Sequence, residues 1–170
     1  MSARGWPDDW DERKAGAGCP LCESLGQGDN DHTVAVAELD WADVRLERRS
    51  RLPGYCIAVW RHRHVAEPME LAADEAAGYW RDVTALARAI EAEFRPVKLN
   101  LLTLGNWVPH LHTHVVPRYL DDPAPGGPLP WDDLFAPEPT DPEVLRLQAA
   151  ALRARLIGWP GSPPGRSPYP

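Results

Sequence analysis

One short stretch limits what this chain can fold into: Pro109-His110-Leu111-His112-Thr113-His114-Val115-Val116-Pro117. Three of the six histidines fall here, on alternate positions. Leu111, Thr113 and Val115 stand between and after them, and such residues suit a pleated, half-buried strand. Side chains at i, i+2 and i+4 of a strand share a face. The spacing therefore predicts His110, His112 and His114 in one row, with Leu111, Thr113 and Val115 on the opposite side. Pro109 and Pro117 cannot donate to a ladder, so they are expected to bracket the strand. A row of imidazoles serves as nucleophile, proton carrier near neutral pH, phosphate hydrogen-bonder or metal ligand. Clustered titratable groups in register point to a site rather than to a merely polar face.

The rest of the chain supplies the frame. Residues 33–39 and 44–46 read as strands joined by the turn 40–43. Cys56-Ile57-Ala58-Val59-Trp60 is a continuous apolar run, expected as a strand covered on both faces. These pieces are close in sequence, so an antiparallel meander is the economical pairing. Cys56 is expected to serve packing alone. From Asp74 to Phe94 the period changes: Ala76, Tyr79, Trp80, Val83, Leu86, Ala87, Ile90 and Phe94 recur at steps of three and four, which predicts a helix. Arg95-Pro96 stops it. Residues 97–104 then form a strand that pairs with the histidine strand through a short hairpin. Asn100 alternates with apolar neighbours and is expected on the histidine face, offering its amide to a ligand hydroxyl. Asp141-Pro142 opens a last helix with a Leu145, Ala149, Leu152, Leu156 stripe, and Gly158 fits its cap. Trp131 and Phe135 are expected to pin the Pro-rich loop before it.

Length and composition narrow the function. The 170 residues suit one domain with a proper core, and a net charge of -7 argues against a nucleic-acid backbone as main partner. The most basic stretch, residues 45–51, is expected as an exposed strand end or turn. No run approaches the ~20 apolar residues needed to span a bilayer. The first residues lack the apolar core of a signal peptide. Three cysteines, Cys19, Cys22 and Cys56, make no disulfide framework, and a cytoplasmic location is expected. Cys19-Pro20-Leu21-Cys22 has the spacing of a metal half-site, with a redox pair as alternative. His62 and His64 follow the apolar strand and gain meaning if one meets those cysteines. The domain is expected over residues 18–158, between a flexible tail at 1–17 and a Pro/Gly-rich tail at 159–170.

His110-Leu111-His112-Thr113-His114-Val115-Val116 is similar to the signature of the histidine triad (HIT) superfamily of nucleotide hydrolases and transferases. Asn100 resembles that family's ribose-side asparagine. Gly105-Asn106 stands where a Gly-Gln pair is usual, and Val108, Pro109, Pro117 and Arg118 also fit. Cys19 and Cys22 resemble a zinc half-site of several branches, and Gly54 through His64-Val65 resembles the strand that ends in a further zinc histidine. The likeness covers about residues 18–120.

The resemblance implies an α+β fold: a HIT-like antiparallel sheet of about five strands, one long helix and a C-terminal helix. It implies a homodimer and a small nucleotide as ligand. It also implies attack by His112 on an α-phosphate, giving a nucleotidyl-histidine that water hydrolyses. His114 would meet phosphate oxygens or the leaving group, and Asn100 and Asn106 would bind substrate. His110 would orient the strand or join Cys19, Cys22 and His64 around a structural zinc. A slip of register would put His62 in place of His64. No cofactor for catalysis is implied. Substrates of the implied class are nucleoside phosphoramidates, dinucleoside polyphosphates and related nucleotidyl esters. Three departures bear on the leaving group. Asn106 is a methylene shorter than glutamine, Trp107 replaces a small hydroxyl residue, and the segment between Asn100 and Gly105 is short. A nucleotide-binding module without turnover is one rival. A hydrolase with catalytic zinc on a His-x-His pair is another.

Overall fold

The computed structural model describes residues 5–122, 124–127, 135 and 138–157. The expectations for Trp131, Gly158 and residues 159–170 lie outside the described residues. Five strands form the sheet: β1 (Thr33–Glu38), β2 (Ala42–Glu47), β3 (Cys56–Trp60), β4 (Lys98–Thr103) and β5 (His112–Arg118). Their order is β1-β2-β3-β5-β4, and every neighbouring pair is antiparallel. The histidine strand is thus central, held between β3 and β4, and β4 lies at an edge.

Register divides the sheet into two faces. Val34, Leu46, Cys56 and Val115 align across one, while Ala35, Arg45, Ile57, His114 and Leu102 align across the other. The first face is apolar because two helices cover it. α1 (Trp10–Lys14) and α2 (Pro20–Ser24) are short; α3 (Ala73–Phe94) and α4 (Pro142–Ile157) are the covering pair. α3 buries Tyr79, Val83, Leu86 and Ile90, three to four residues apart as expected. Each such side chain contributes roughly 1.5–3 kcal/mol of burial. α4 buries the expected Leu145, Ala149, Leu152 and Leu156. At the start of α3 the Glu75 carboxylate accepts from the Ala72 N–H at 2.8 Å, and Arg95 ends the helix in the left-handed region (φ 50°). Asp82 reaches from α3 to accept from the N–H groups of Trp41 (2.7 Å) and Ala42 (3.1 Å), tying the β1–β2 turn to the helix.

Several local expectations need correction. Pro117 does not end the histidine strand; β5 continues through it to Arg118. Odd-numbered residues of β5 turn their backbone groups toward β3, whose pairing ends at Cys56–Val115, so Pro117 forfeits no ladder bond. At the other end β5 begins only at His112, leaving His110 outside the strand. The β4–β5 connection, residues 104–111, is longer than a tight hairpin, and Gly105 turns it at φ 83°. Residues 42 and 43 belong to β2 rather than to a turn. Arg45 is not at an exposed end: it is 1% exposed and spends its donors on Thr33 Oγ1 and the carbonyls of Ser24, Gln27 and Gly28, beside Asp43. This tethers the loop after α2 to the histidine face. Phe135 bridges to Ser50 and its ring lies 6.0 Å from that of Tyr55, in line with the expected pin. Among the described residues no helix is long and apolar enough to cross a membrane.

Gly78 gives a test of the packing between α3 and the sheet. Alanine would gain about 1 kcal/mol of helix propensity. Its Cβ, however, would stand 2.3 Å from Trp41 Nε1 and 2.5 Å from Trp41 Cε2. That indole is stacked on Trp60 with ring centroids 5.8 Å apart, so it has little room to yield. Overpacking, about 1–3 kcal/mol, outweighs propensity. Gly78→Ala is expected to lower the melting temperature; an unchanged or higher one would show that the Trp41–Trp60 stack is soft.

Candidate active site and metal centre

β5 presents His112 and His114 side by side, with ring centroids 4.9 Å apart. His112 Nδ1 lies 2.6 Å from the carbonyl oxygen of His110. A carbonyl only accepts, so Nδ1 carries the proton and donates, which leaves Nε2 of the neutral ring bare. Burial lowers the pKa of His112, opposed by the His110 carbonyl, which favours the charged ring. His114 Nδ1 lies 2.8 Å from the hydroxyl of Tyr55. Burial, with the charge of His112 as a smaller cause, pushes His114 down to about 3. Burial likewise raises the Tyr55 hydroxyl above its usual range, so it keeps its proton.

Tyr55 was read from sequence only as part of a turn. The signal that finds it is register. Ile57 pairs with His114, and Tyr55 lies two residues earlier, on the same face. Beneath the row, Tyr79 donates from α3 toward Ala58 O and Thr113 Oγ1, both at 2.9 Å, and Thr103 Oγ1 lies 2.8 Å from Thr113 Oγ1. The helix thus fastens the back of the strand that carries the histidines.

His110 departs from the row. Its ring is fully buried, and its Nε2 lies 2.8 Å from the carbonyl of Trp60, so Nε2 donates and Nδ1 is bare. That Nδ1 stands 3.4 Å from Cys19 Sγ and 3.3 Å from Cys22 Sγ. His64 repeats the arrangement: Nε2 donates to Lys14 O at 3.1 Å, and Nδ1 lies 3.4 Å from Cys22 Sγ. The ligand atoms of Cys19, Cys22, His64 and His110 all lie within 4.8 Å of one another. Two sulfurs and two bare imidazole nitrogens, each ring held by a carbonyl on its far side, fit a zinc ion with four protein ligands and no open position. A tetrahedral zinc with bonds of about 2.0–2.3 Å sets sulfur–nitrogen separations near ~3.5 Å. Burial, with the neighbouring Cys19, raises the Cys22 thiol to about 11, so a metal ion binding there would release its proton. A bound zinc would supply a structural tie between α2, the segment after β3 and His110.

His62 is not part of this cluster. β3 ends at Trp60, so no strand carries His62 and His64 on one face. His62 takes φ 88°, lies edge-on to Trp41 (5.3 Å) and Trp60 (5.6 Å), and meets Asp40 O at 2.9 Å. Asn100 lies on the histidine face, opposite Val116, as expected. Its Oδ1 accepts from Arg118 Nη1 at 2.5 Å. Asn106 is exposed and, with Trp107 (74% exposed), lines a hollow of about 580 Å³ shared with Trp6 and Arg13.

The HIT domain family model matches residues 29–121, and the chain belongs to the HIT family. "Protein hit" of Bacillus subtilis (strain 168) is 38% identical over 61 residues, 33% of this chain and 42% of that relative. The match thus spans less than half of the curated relative's length. A histidine triad (HIT) protein of Sinorhizobium meliloti 1021 superposes with a TM-score of 0.68 at 27% identity, covering 82% of this chain and 98% of its own. A Zn-bound histidine triad family protein of Mycobacterium smegmatis shares the fold, with a TM-score of 0.59 at 20% identity over 82% of this chain and 94% of its own.

Two outcomes follow from this geometry. Purified under zinc, the protein is expected to hold one ion per chain. Cys19→Ala or His64→Ala should lose it and melt several degrees lower, whereas His62→Asn should keep it; metal analysis that singles out His62 instead would refute the assignment. The second outcome concerns acid. Between about 3 and the ordinary imidazole value of 6.5, the unfolded chain takes up a proton at His114 that the folded chain refuses. Stability therefore falls as pH falls through that window. Melting curves should show a shallower acid slope for His114→Gln than for the wild type, and parallel slopes would contradict the burial argument.

Proposed function

We propose that the chain is a nucleotide hydrolase that works through a nucleotidyl-histidine intermediate on His112. One observation carries this reading: the 2.6 Å bond from His112 Nδ1 to the His110 carbonyl. It supports a neutral ring whose Nε2 lone pair is free to attack phosphorus. In the proposed first step Nε2 forms a bond to the α-phosphorus as the bond to the leaving group breaks. The electron pair departs with the leaving atom, which takes up a proton. In the second step water adds to phosphorus, the P–N bond breaks, and the imidazole is restored. Splitting one slow displacement into two is what covalent catalysis achieves. His114, backed by the Tyr55 hydroxyl, is assigned to the phosphate oxygens or the leaving group. Asn100 and Asn106 are assigned to substrate binding, and His110 to orientation of His112.

A structural zinc held by Cys19, Cys22, His64 and His110 belongs to the same reading. The four-ligand donor set supports it, as does the zinc of the M. smegmatis relative, and a set closed by protein ligands argues against hydrolysis at a metal-bound water. We assign the active species to a homodimer. The position of β4 at the end of the sheet and the exposed Leu101 and Val97 on or beside it support that assignment.

Hydrolysis of an adenosine phosphoramidate tests the proposal. His112→Ala is expected to lower kcat about a thousand-fold or more. Chelation that leaves the protein folded should leave the rate in place. Tight binding with no product in the wild type would favour a binding module, and an undiminished rate in His112→Ala would end the covalent route.

A further inference from the structure

Tyr55 follows the turn at Gly54 (φ 76°) and is held firmly in place. Its N–H donates to Leu52 O at 3.2 Å, its carbonyl accepts from the Glu47 N–H at 3.0 Å, and its side chain is fully buried. Among the described residues its hydroxyl has one hydrogen-bond partner, Nδ1 of His114 at 2.8 Å. A phenol donates one hydrogen and also accepts, while a neutral imidazole has one N–H and one lone pair. Two arrangements are therefore open. In one, the phenol donates to a bare Nδ1. In the other, Nδ1–H donates to the phenol oxygen, and the phenol hydrogen is buried with no acceptor. A buried hydrogen without an acceptor costs more than an oxygen lone pair left over, so the first arrangement wins. Burial also keeps the phenol protonated and His114 neutral, which suits the same arrangement. The hydrogen of His114 then stands on Nε2. The neighbouring ring is set the other way: His112 donates from Nδ1 and keeps its lone pair on Nε2. Both residues are half-buried, with ring centroids 4.9 Å apart. A lone pair thus stands beside an N–H.

We propose that Tyr55 is a positioning residue that holds His114 in the tautomer opposite to that of His112, so that His114 meets a nonbridging phosphate oxygen as a hydrogen-bond donor and keeps its proton. The role at phosphate rests on the nucleotide reading above; the tautomer does not. A phosphoryl group has an electrophilic phosphorus beside accepting oxygens, which matches a lone pair beside an N–H. A neutral imidazole gives up its remaining hydrogen far less readily than an imidazolium does. The N–H of His114 therefore stabilises charge on oxygen rather than protonating a leaving group. The proton that the leaving atom takes up comes from solvent water instead.

Two measurements test it. Long-range nitrogen–proton spectra of histidine-labelled protein, assigned with His114→Ala, report the tautomer. They are expected to place the hydrogen of His114 on Nε2. They should also show a slowly exchanging phenol hydrogen that correlates across the bond with Nδ1 and is lost in Tyr55→Phe. The second measurement is hydrolysis of an adenosine phosphoramidate in a double-mutant cycle. Tyr55→Phe keeps the packing of the ring and removes only the hydroxyl. It is expected to lower kcat about ten-fold with KM within about two-fold. In the His114→Ala background the same change should have no further effect.

A hydrogen found on Nδ1 of His114 would overturn the inference. So would a kcat that Tyr55→Phe leaves unchanged. A loss of the same size with and without His114 would reduce Tyr55 to a structural role and overturn it as well. Wild type that turns over no phosphoramidate removes the hydrolase reading itself. The spectra then decide the tautomer on their own, so the two failures stay distinct.

Discussion

The hydrogen bond from His112 to the carbonyl of His110 depends on a peptide that the sheet does not hold. His110 precedes the strand, its N–H turns back to Val108 O at 2.8 Å, and its carbonyl is left for a side chain to use. That carbonyl shares its peptide with the Leu111 N–H, which donates to Val65 O at 2.6 Å, and the histidine's own ring, fully buried between the Trp60 carbonyl and the two thiols, holds the same residue from its other side. The ring and the carbonyl of one residue thus serve two neighbouring centres. The ring joins the candidate metal cluster and the carbonyl sets the tautomer of His112, the proposed nucleophile. A displaced ring would move the carbonyl, and a buried Nδ1–H without its acceptor costs about 1–3 kcal/mol.

The sheet makes that arrangement durable by giving its faces different work. One face is apolar and covered by α3 and α4; the other carries the histidines, Tyr55 and Asn100. α3 reaches through to the working strand by way of Tyr79 and Thr113, so the long helix is more than cover. Arg45 and Arg118 act alike on the working face. Each is a buried guanidinium whose donors are spread over backbone carbonyls and one carboxylate, and each fastens a loop to the sheet. Breaking either would leave a carboxylate uncompensated.

What was legible in the sequence was what period and spacing encode. The 3.6-residue stripe from Tyr79 to Ile90 and the period-two run from His112 to Val116 identify the long helix and the central strand. The Cys19–Cys22 spacing names half of the candidate metal cluster. The rest depended on contacts far apart along the chain. Pro117 reads as a strand end, yet it is harmless where β3 has stopped pairing. Arg45 reads as solvent-facing, yet its neighbours are carbonyls of a loop some 20 residues earlier. Tyr55 reads as turn punctuation until the β3–β5 register sets it beside His114. The choice between His62 and His64 rests on where β3 ends, which spacing alone does not say. His110 breaks from its row because it precedes the strand, and its ring turns to the two thiols and the Trp60 carbonyl.

The proposed chemistry turns on a single nitrogen, Nε2 of His112, and the protonation of that ring can be observed directly. Imidazole 15N–1H correlation spectra at neutral pH, on protein labelled at histidine and assigned with His112→Ala, report which nitrogen of His112 carries hydrogen. The account predicts a neutral ring protonated at Nδ1 with a bare Nε2. A ring protonated at Nε2, or a fully protonated imidazolium at that pH, would contradict it.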